Sequence, residues 1–222
     1  MTRVRQSAYN PFALAYYLFI LAVHLLAIVI ESDLIRSSSK SQLMPALLLY
    51  YVVNAPKQSN RWLVYLAIVA SWLGDLFLMQ QGSGYFMAGL ASFLLAHVFY
   101  IVIFRQLIDR DKPVRRKTGW IIGIVIYVIL LIYWLFQHMD NGLKIPVLVY
   151  ALTIAGMLLL AIQVDTERRS SLLVPGAILF VVSDSLLAIN KFVQPFPLAG
   201  VAIMVSYGLA QLFIIHSIAR IS

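Results

Sequence analysis

The chain has 222 residues, of which 62% are hydrophobic and only 12% charged, and its mean hydropathy is +0.88. A soluble domain of this size carries roughly 25% charged residues, so the composition excludes an ordinary soluble fold and points to a polytopic helical membrane protein. The net charge of +8 is a matter of loops rather than of nucleic-acid binding, and the lack of cysteine excludes disulfides, thiolate metal sites and a cysteine nucleophile.

A bilayer core of about 30 Å requires about 20 apolar residues per helix. In chain order, the segments that qualify are 11–30, 41–55, 62–80, 85–104, 119–137, 145–163, 172–190 and 197–217. The first follows Arg3 and Arg5 but is too long for a signal peptide and lacks a small-residue cleavage site, so it reads as a retained helix. The second is short, and Pro45 falls in its first turn, where a missing N–H costs little. Polar connections such as Ala55–Arg61 and Gln80–Gly84 are short enough to force antiparallel hairpins, and they leave no room for a soluble domain. The expectation is therefore one all-α membrane domain over residues 1–222, an eight-helix bundle with both termini on one side.

The basic residues divide unevenly across those eight spans. Arg3, Arg5, Lys57, Arg61, Arg105, Arg110, Lys112, Arg115, Arg116, Lys117, Arg168, Arg169 and Arg220 fall on the terminus side, against Arg36, Lys40, Lys144 and Lys191 opposite. Basic loops stay cytoplasmic, which places both termini in the cytoplasm and makes Arg105–Lys117 a loop facing anionic lipid. A bacterial inner (plasma) membrane is the expected location. A short repeat, Pro45-Ala-Leu-Leu-Leu-Tyr50 and Pro146-Val-Leu-Val-Tyr150, precedes each aspartate-bearing span, so two parallel four-helix halves are expected.

Two carboxylates interrupt the apolar spans: Asp75 in SWLGDLFLM and Asp184 in LFVVSDSLLAI. A charge at mid-membrane costs at least about 2.5–3.5 kcal/mol, so each should face a protein interior or a wet cavity. Both spans run outward, and Asp184 lies six residues from its outer end, about 9 Å at 1.5 Å per residue. Asp75 is five residues from Gln80, which puts the pair at one level in the outer half of the membrane. Lys40 and Lys191 flank the same mouths, with Lys191 at i+7 from Asp184. Gly89, Phe93, His97 and Tyr100 form one stripe of the fourth span, Tyr207 and Gln211 one face of the eighth, and His24 and Glu31 one face of the first. Four spans thus turn polar stripes inward, as around a cavity. Plainer readings exist for each: an Asp–Lys pair that fixes packing, an interior histidine, helix–helix glue for Tyr207 and Gln211, and interfacial snorkelling for the lysines. His138 and His216 read as surface residues at helix ends. Four histidines scattered over four spans make a metal site unexpected, and no Gly-rich phosphate loop or GxSxG elbow is present.

Several motifs occur in order: Ser39-Lys40 through Pro45, Gly74-Asp75-x-x-Leu78, Gly89 through His97-x-x-Tyr100, Gly176 through Ser183-Asp184-x-x-Leu187-Ala188-x-Asn190-Lys191-Phe192, and Tyr207-x-x-x-Gln211. This set resembles the YhhN family, which includes the animal transmembrane lysoplasmalogenases, over nearly the whole chain after the first helix. The resemblance implies hydrolysis of the vinyl-ether bond of a lysophospholipid to a fatty aldehyde and glycerophosphoethanolamine or glycerophosphocholine, without a cofactor. It also implies one protonated carboxyl and one carboxylate, as paired acids work at glycosidic bonds. The expected catalytic residues are Asp75, Asp184 and His97. Lys40, Lys191, Ser183, Tyr100, Tyr207, Gln211 and Asn190 are expected to hold the substrate. Membrane lipid is the expected surroundings, and nucleic acid is not expected as a partner. The alternative is a proton- or ion-coupled transporter of a small molecule or lipid, since intramembrane carboxylates also mark ion pathways.

Overall fold

A computed structural model describes residues 10–55, 61–108, 118–164 and 172–221. The described residues form α-helices α1 (Pro11–Val29), α2 (Asp33–Asn54), α3 (Arg61–Leu78), α4 (Ser83–Leu107), α5 (Thr118–Phe136), α6 (Asn141–Gln163), α7 (Leu173–Ala188) and α8 (Ala199–Ile221). A one-turn π-helix, Ile189–Val193, continues α7. Seven of the eight helices, all but α2 and with α7 taken together with its π-turn, are long and apolar enough to cross a membrane, which makes this an integral membrane protein. Of the basic positions behind the orientation argument, Arg3, Arg5, Lys57, Arg110, Lys112, Arg115, Arg116, Lys117, Arg168 and Arg169 lie outside the described residues.

α2 departs most from the sequence expectation. It begins at Asp33 rather than at residue 41, because a polar first half is helical too. The hydroxyls of Ser37, Ser38 and Ser39 donate to the carbonyls of Asp33, Leu34 and Ile35 at 2.8, 2.8 and 2.6 Å. Such bonds to the preceding turn let serine sit in a helix without a solvent partner. Pro45 is consequently inside the helix, not in its first turn. Its missing N–H deprives the Ser41 carbonyl of a helical donor, and the Trp72 indole of α3 donates to that carbonyl instead, at 2.8 Å. A proline that would weaken an isolated helix thus ties α2 to α3.

The helices close a ring. α2 packs on α3 and α3 on α4; α6 packs on α7 and α7 on α8; α4 then meets α6, and α8 meets α2. The order within α2–α4 is repeated in α6–α8, which are the parts the short sequence repeat relates. α1 lies against α2 and α8, and α5 against α6 and the π-helix. α5 buries only Ile124, Ile132 and Leu135 and presents its other apolar residues outward, as a lipid-facing helix does.

Two helix pairs approach closely through glycine. A Cβ on Gly74 of α3 would lie 2.6 Å from the Phe93 ring of α4. One on Gly176 of α7 would lie 3.0 Å from the Ile214 backbone nitrogen of α8. Small residues at such crossings let helices pack in lipid, where no hydrophobic force drives them together. Replacing Gly176 by leucine forces α7 from α8 and should cost about 1–3 kcal/mol, seen as a lower unfolding temperature in detergent. Gly123→Ala, where a Cβ meets nothing within 4 Å, should not lower that temperature, since alanine is the better helix former.

Candidate active site

The end of α3, the start of α4, the end of α7 with its π-helix, and the start of α8 converge at one end of the bundle. They enclose a cavity of about 450 Å³ whose walls include Asp75, Asp184, Lys40, Ser183, Lys191 and Tyr207. The two aspartates expected at one level do face a common space.

Asp75 is 2% exposed. Its Oδ2 accepts a hydrogen bond from the Tyr207 hydroxyl of α8 at 2.8 Å, and Lys40 Nζ of α2 lies 3.8 Å from its Oδ1. Three helices thus meet at this carboxylate. Asp184 accepts a 2.5 Å hydrogen bond at Oδ2 from the Tyr150 hydroxyl of α6. His97 Nε2 stands 4.0 Å from the same oxygen, beyond a direct hydrogen bond. The two carboxylates differ in their company: a cation and a phenol around Asp75, a phenol and an imidazole around Asp184.

His97 is fully buried and packs edge-on to Phe180 and Tyr150, with ring centroids 4.6 and 5.3 Å away. Neither ring nitrogen makes a well-formed hydrogen bond. Orphaned buried polar atoms are uncommon and costly, and these sit behind Asp184 rather than on the cavity wall. Tyr100 and Gln211 also lie beneath the wall. The Tyr100 hydroxyl donates to Gln211 Oε1 at 2.6 Å, and Gln211 Nε2 donates to Ser71 Oγ at 2.9 Å and approaches the Tyr207 hydroxyl at 3.5 Å. They hold Tyr207 in place and leave the contact with a ligand to it.

The remaining expected residues are a buried wall residue, Ser183, and two residues of the π-turn, Asn190 and Lys191. Ser183 lines the cavity and donates to the Ile203 carbonyl at 3.1 Å. Lys191 lines it too, with its ammonium 5.4 Å from the centroid of the Phe86 ring. Asn190 faces away from this cavity into a neighbouring one, and its Oδ1 accepts from the Phe196 backbone N–H at 3.4 Å. Consecutive residues on a helix point roughly a quarter turn apart, so these two neighbours of the π-turn face different cavities.

Two sequence readings are corrected. His24 does turn inward, bonded through Nδ1 to Ser39 Oγ at 3.0 Å. Glu31 does not share its face, because α1 ends at Val29 and Glu31 is exposed at a positive φ of 56°. His216 is half-buried, and its Nδ1 pairs with the Tyr50 hydroxyl at 2.6 Å. Its helical period, reread with α2 as a neighbour, accounts for this. Tyr150, the residue the functional reading missed, was signalled only by its place in the repeat. Among the described residues, no three His, Asp or Glu side chains gather as metal ligands.

These features define a polytopic helical membrane protein with two carboxylates set in a cavity between its helices. The chain belongs to the YhhN family, which matches residues 35–218. Mouse (Mus musculus) lysoplasmalogenase TMEM86B is 30% identical over 210 residues, covering 95% of this chain and 85% of that protein. The lysoplasmalogenase of Mycobacterium tuberculosis is 29% identical over 159 residues, 71% of this chain and 60% of its own length. Cattle (Bos taurus) lysoplasmalogenase TMEM86A is 31% identical over 160 residues, 68% of this chain and 62% of its own length. No solved structure matches the chain.

The hydrogen-bond chain below the cavity predicts a stability effect. Gln211→Leu strands the Tyr100 hydroxyl and Ser71 in the interior and should lower stability by about 1–3 kcal/mol. Lys191→Gln, at the rim, should change it by less than about 0.5 kcal/mol. Thermal unfolding in detergent distinguishes the two.

Proposed function

We propose that the protein is a lysoplasmalogenase that hydrolyses the vinyl-ether bond of a lysophospholipid between Asp75 and Asp184. The observation that carries this reading is the pair of carboxylates lining one cavity between the helices in a chain whose relatives are named lysoplasmalogenases. The same relatives favour an enzyme over a transporter.

In this reading the roles follow from the surroundings. Asp75, facing the Lys40 ammonium and the Tyr207 donor, serves as the carboxylate. Asp184, whose neighbours are the Tyr150 hydroxyl and the His97 ring rather than an ammonium, serves as the acid. It gives its proton to the β-carbon of the vinyl ether, and the cation formed at the ether-bearing carbon is stabilised by Asp75. Water adds to that carbon and loses a proton to Asp75. The resulting hemiacetal collapses: the glycerol oxygen leaves with the proton from Asp75, and the hemiacetal hydroxyl proton returns to Asp184. The products are aldehyde and glycerophospho-headgroup, one water is consumed, and both carboxyls are reset. His97, behind Asp184, orients that carboxyl and assists its proton transfer.

A lipid substrate also accounts for the position of the site below the membrane surface, since the chain can stay among apolar helices while the headgroup remains at the rim. The associated topology has α2 as an eighth crossing, both termini in the cytoplasm and the cavity open to the outer leaflet of a bacterial inner membrane.

Purified protein in detergent should release aldehyde from lysoplasmalogen. Asp75→Asn and Asp184→Asn should each lower kcat by at least about 100-fold, the scale of general acid–base catalysis. His97→Gln should lower it less, by about 10-fold. Wild type that releases no aldehyde, or aspartate variants that keep full activity, would contradict the assignment.

A further inference from the structure

A second cavity of about 370 Å³ adjoins the first, and Lys40, Leu78, Leu187, Ile203 and Met204 belong to the walls of both. The polar groups it adds are of one kind. They are Arg36 and Ser37 of α2, His24 of α1 and Asn190 of the π-helix, and no acidic side chain is among its lining residues. Lys40 is the divider, exposed to the second cavity on one side and 3.8 Å from Asp75 on the other.

The composition of the compartment fits an anion. Arg36 offers a planar fork of N–H donors suited to phosphate oxygens. One of its nitrogens is engaged with Asp33 at 2.9 Å, but that carboxylate is 85% exposed, and an ion pair so open to solvent holds its partner weakly. Arg36 and Lys40 are four residues apart on one helix face, and opposite them the Asn190 side-chain amide, whose Oδ1 accepts from Phe196, carries N–H donors suited to an anion. The spacing also fits. In a lysophospholipid five bonds separate the ether oxygen from phosphorus, roughly 6 Å, so an ether beside Asp75 would bring the phosphate to the Lys40 divider and beyond it.

We propose that this second cavity is the phosphate-binding subsite of the protein, in which Arg36 is the specificity residue and Lys40 is shared with the carboxylate cavity. The inference rests on the lysophospholipid reading of the first cavity, and it assigns to Arg36, which the sequence pattern leaves as a loop-side charge, the recognition of a phosphodiester.

The test is equilibrium binding to the purified protein in detergent, using lipids that cannot be hydrolysed, so its result does not depend on turnover. The probes are a saturated 1-alkyl-glycerophosphocholine, the 1-alkylglycerol without phosphate, and inorganic phosphate alone. Wild type should bind the phosphate-bearing lipid at least about 10-fold more tightly than the alkylglycerol, a difference of about 1.4 kcal/mol. Arg36→Gln should bring the two lipids to within about 3-fold by weakening only the phosphate-bearing one, and Arg36→Lys should restore part of the preference. Equal affinity of wild type for both lipids, or an undiminished preference in Arg36→Gln, overturns the proposal. So does Arg36-dependent binding of inorganic phosphate with no effect on the lipids, which would make the cavity a site for the free anion. Phosphate-selective binding without aldehyde release would leave the subsite standing while removing the hydrolytic reading.

Discussion

A carboxylate within a helical bundle in lipid persists only if other helices bring it donors. Asp75 belongs to α3, yet its partners are Tyr207 of α8 and Lys40 of α2. Asp184 belongs to α7, and its partner is Tyr150 of α6. Removing one member of such a set leaves a buried polar group uncompensated, at a cost of several kcal/mol. The carboxylates therefore specify which helices must be neighbours as firmly as the apolar contacts do. The glycine crossings at Gly74 and Gly176 fasten the same two helices to their other neighbours, α3 to α4 and α7 to α8.

The two halves of the ring supply similar frames and dissimilar chemistry. In each, a proline-bearing helix packs on an aspartate-bearing helix, which in turn packs on a third. Lysine accompanies the aspartate of the first half and histidine that of the second. Two carboxyl groups in matched surroundings would compete for one role. Unlike neighbours are the means by which an approximately repeated scaffold gives them different ones, as burial and charge do for paired acids elsewhere.

Much of this was legible in the sequence because lipid makes charge conspicuous. Asp75 and Asp184 stand out in their apolar runs, and simple rise-per-residue arithmetic set them at one depth. The i, i+4 spacing of Tyr207 and Gln211 also placed both inside. What the sequence concealed depends on contacts between helices. Pro45 marks a short helix only if serines cannot be helical; their hydroxyl bonds to the preceding turn make them so. The division of labour between Tyr207, on the wall, and Tyr100 with Gln211, beneath it, follows from side chains that reach between α4 and α8, the Tyr100–Gln211 bond and the Phe93–Tyr207 ring contact. His97 was placed correctly on an inward stripe, but its confinement between Phe180 and Tyr150 depends on three helices that no single periodicity describes. Glu31 shows the converse error, a helical period extended past the residue where the helix ends.

The π-turn at the end of α7 has a consequence for how this region tolerates change in length. Asn190 and Lys191 are adjacent in the chain and serve different compartments, and the backbone that carries them is wound one residue wider than an α-helix. A bulge of this kind behaves as a single inserted residue. Loss of one residue from Ile189–Val193 would let α7 run on as a regular helix and leave the side chains beyond the deletion at the positions they hold now. The residue lost would decide which cavity gives up a flanking group, Asn190 or Lys191, while Asp184, upstream of the bulge, stayed where it is. The partition between the compartments is thus a property of chain register as much as of side-chain identity.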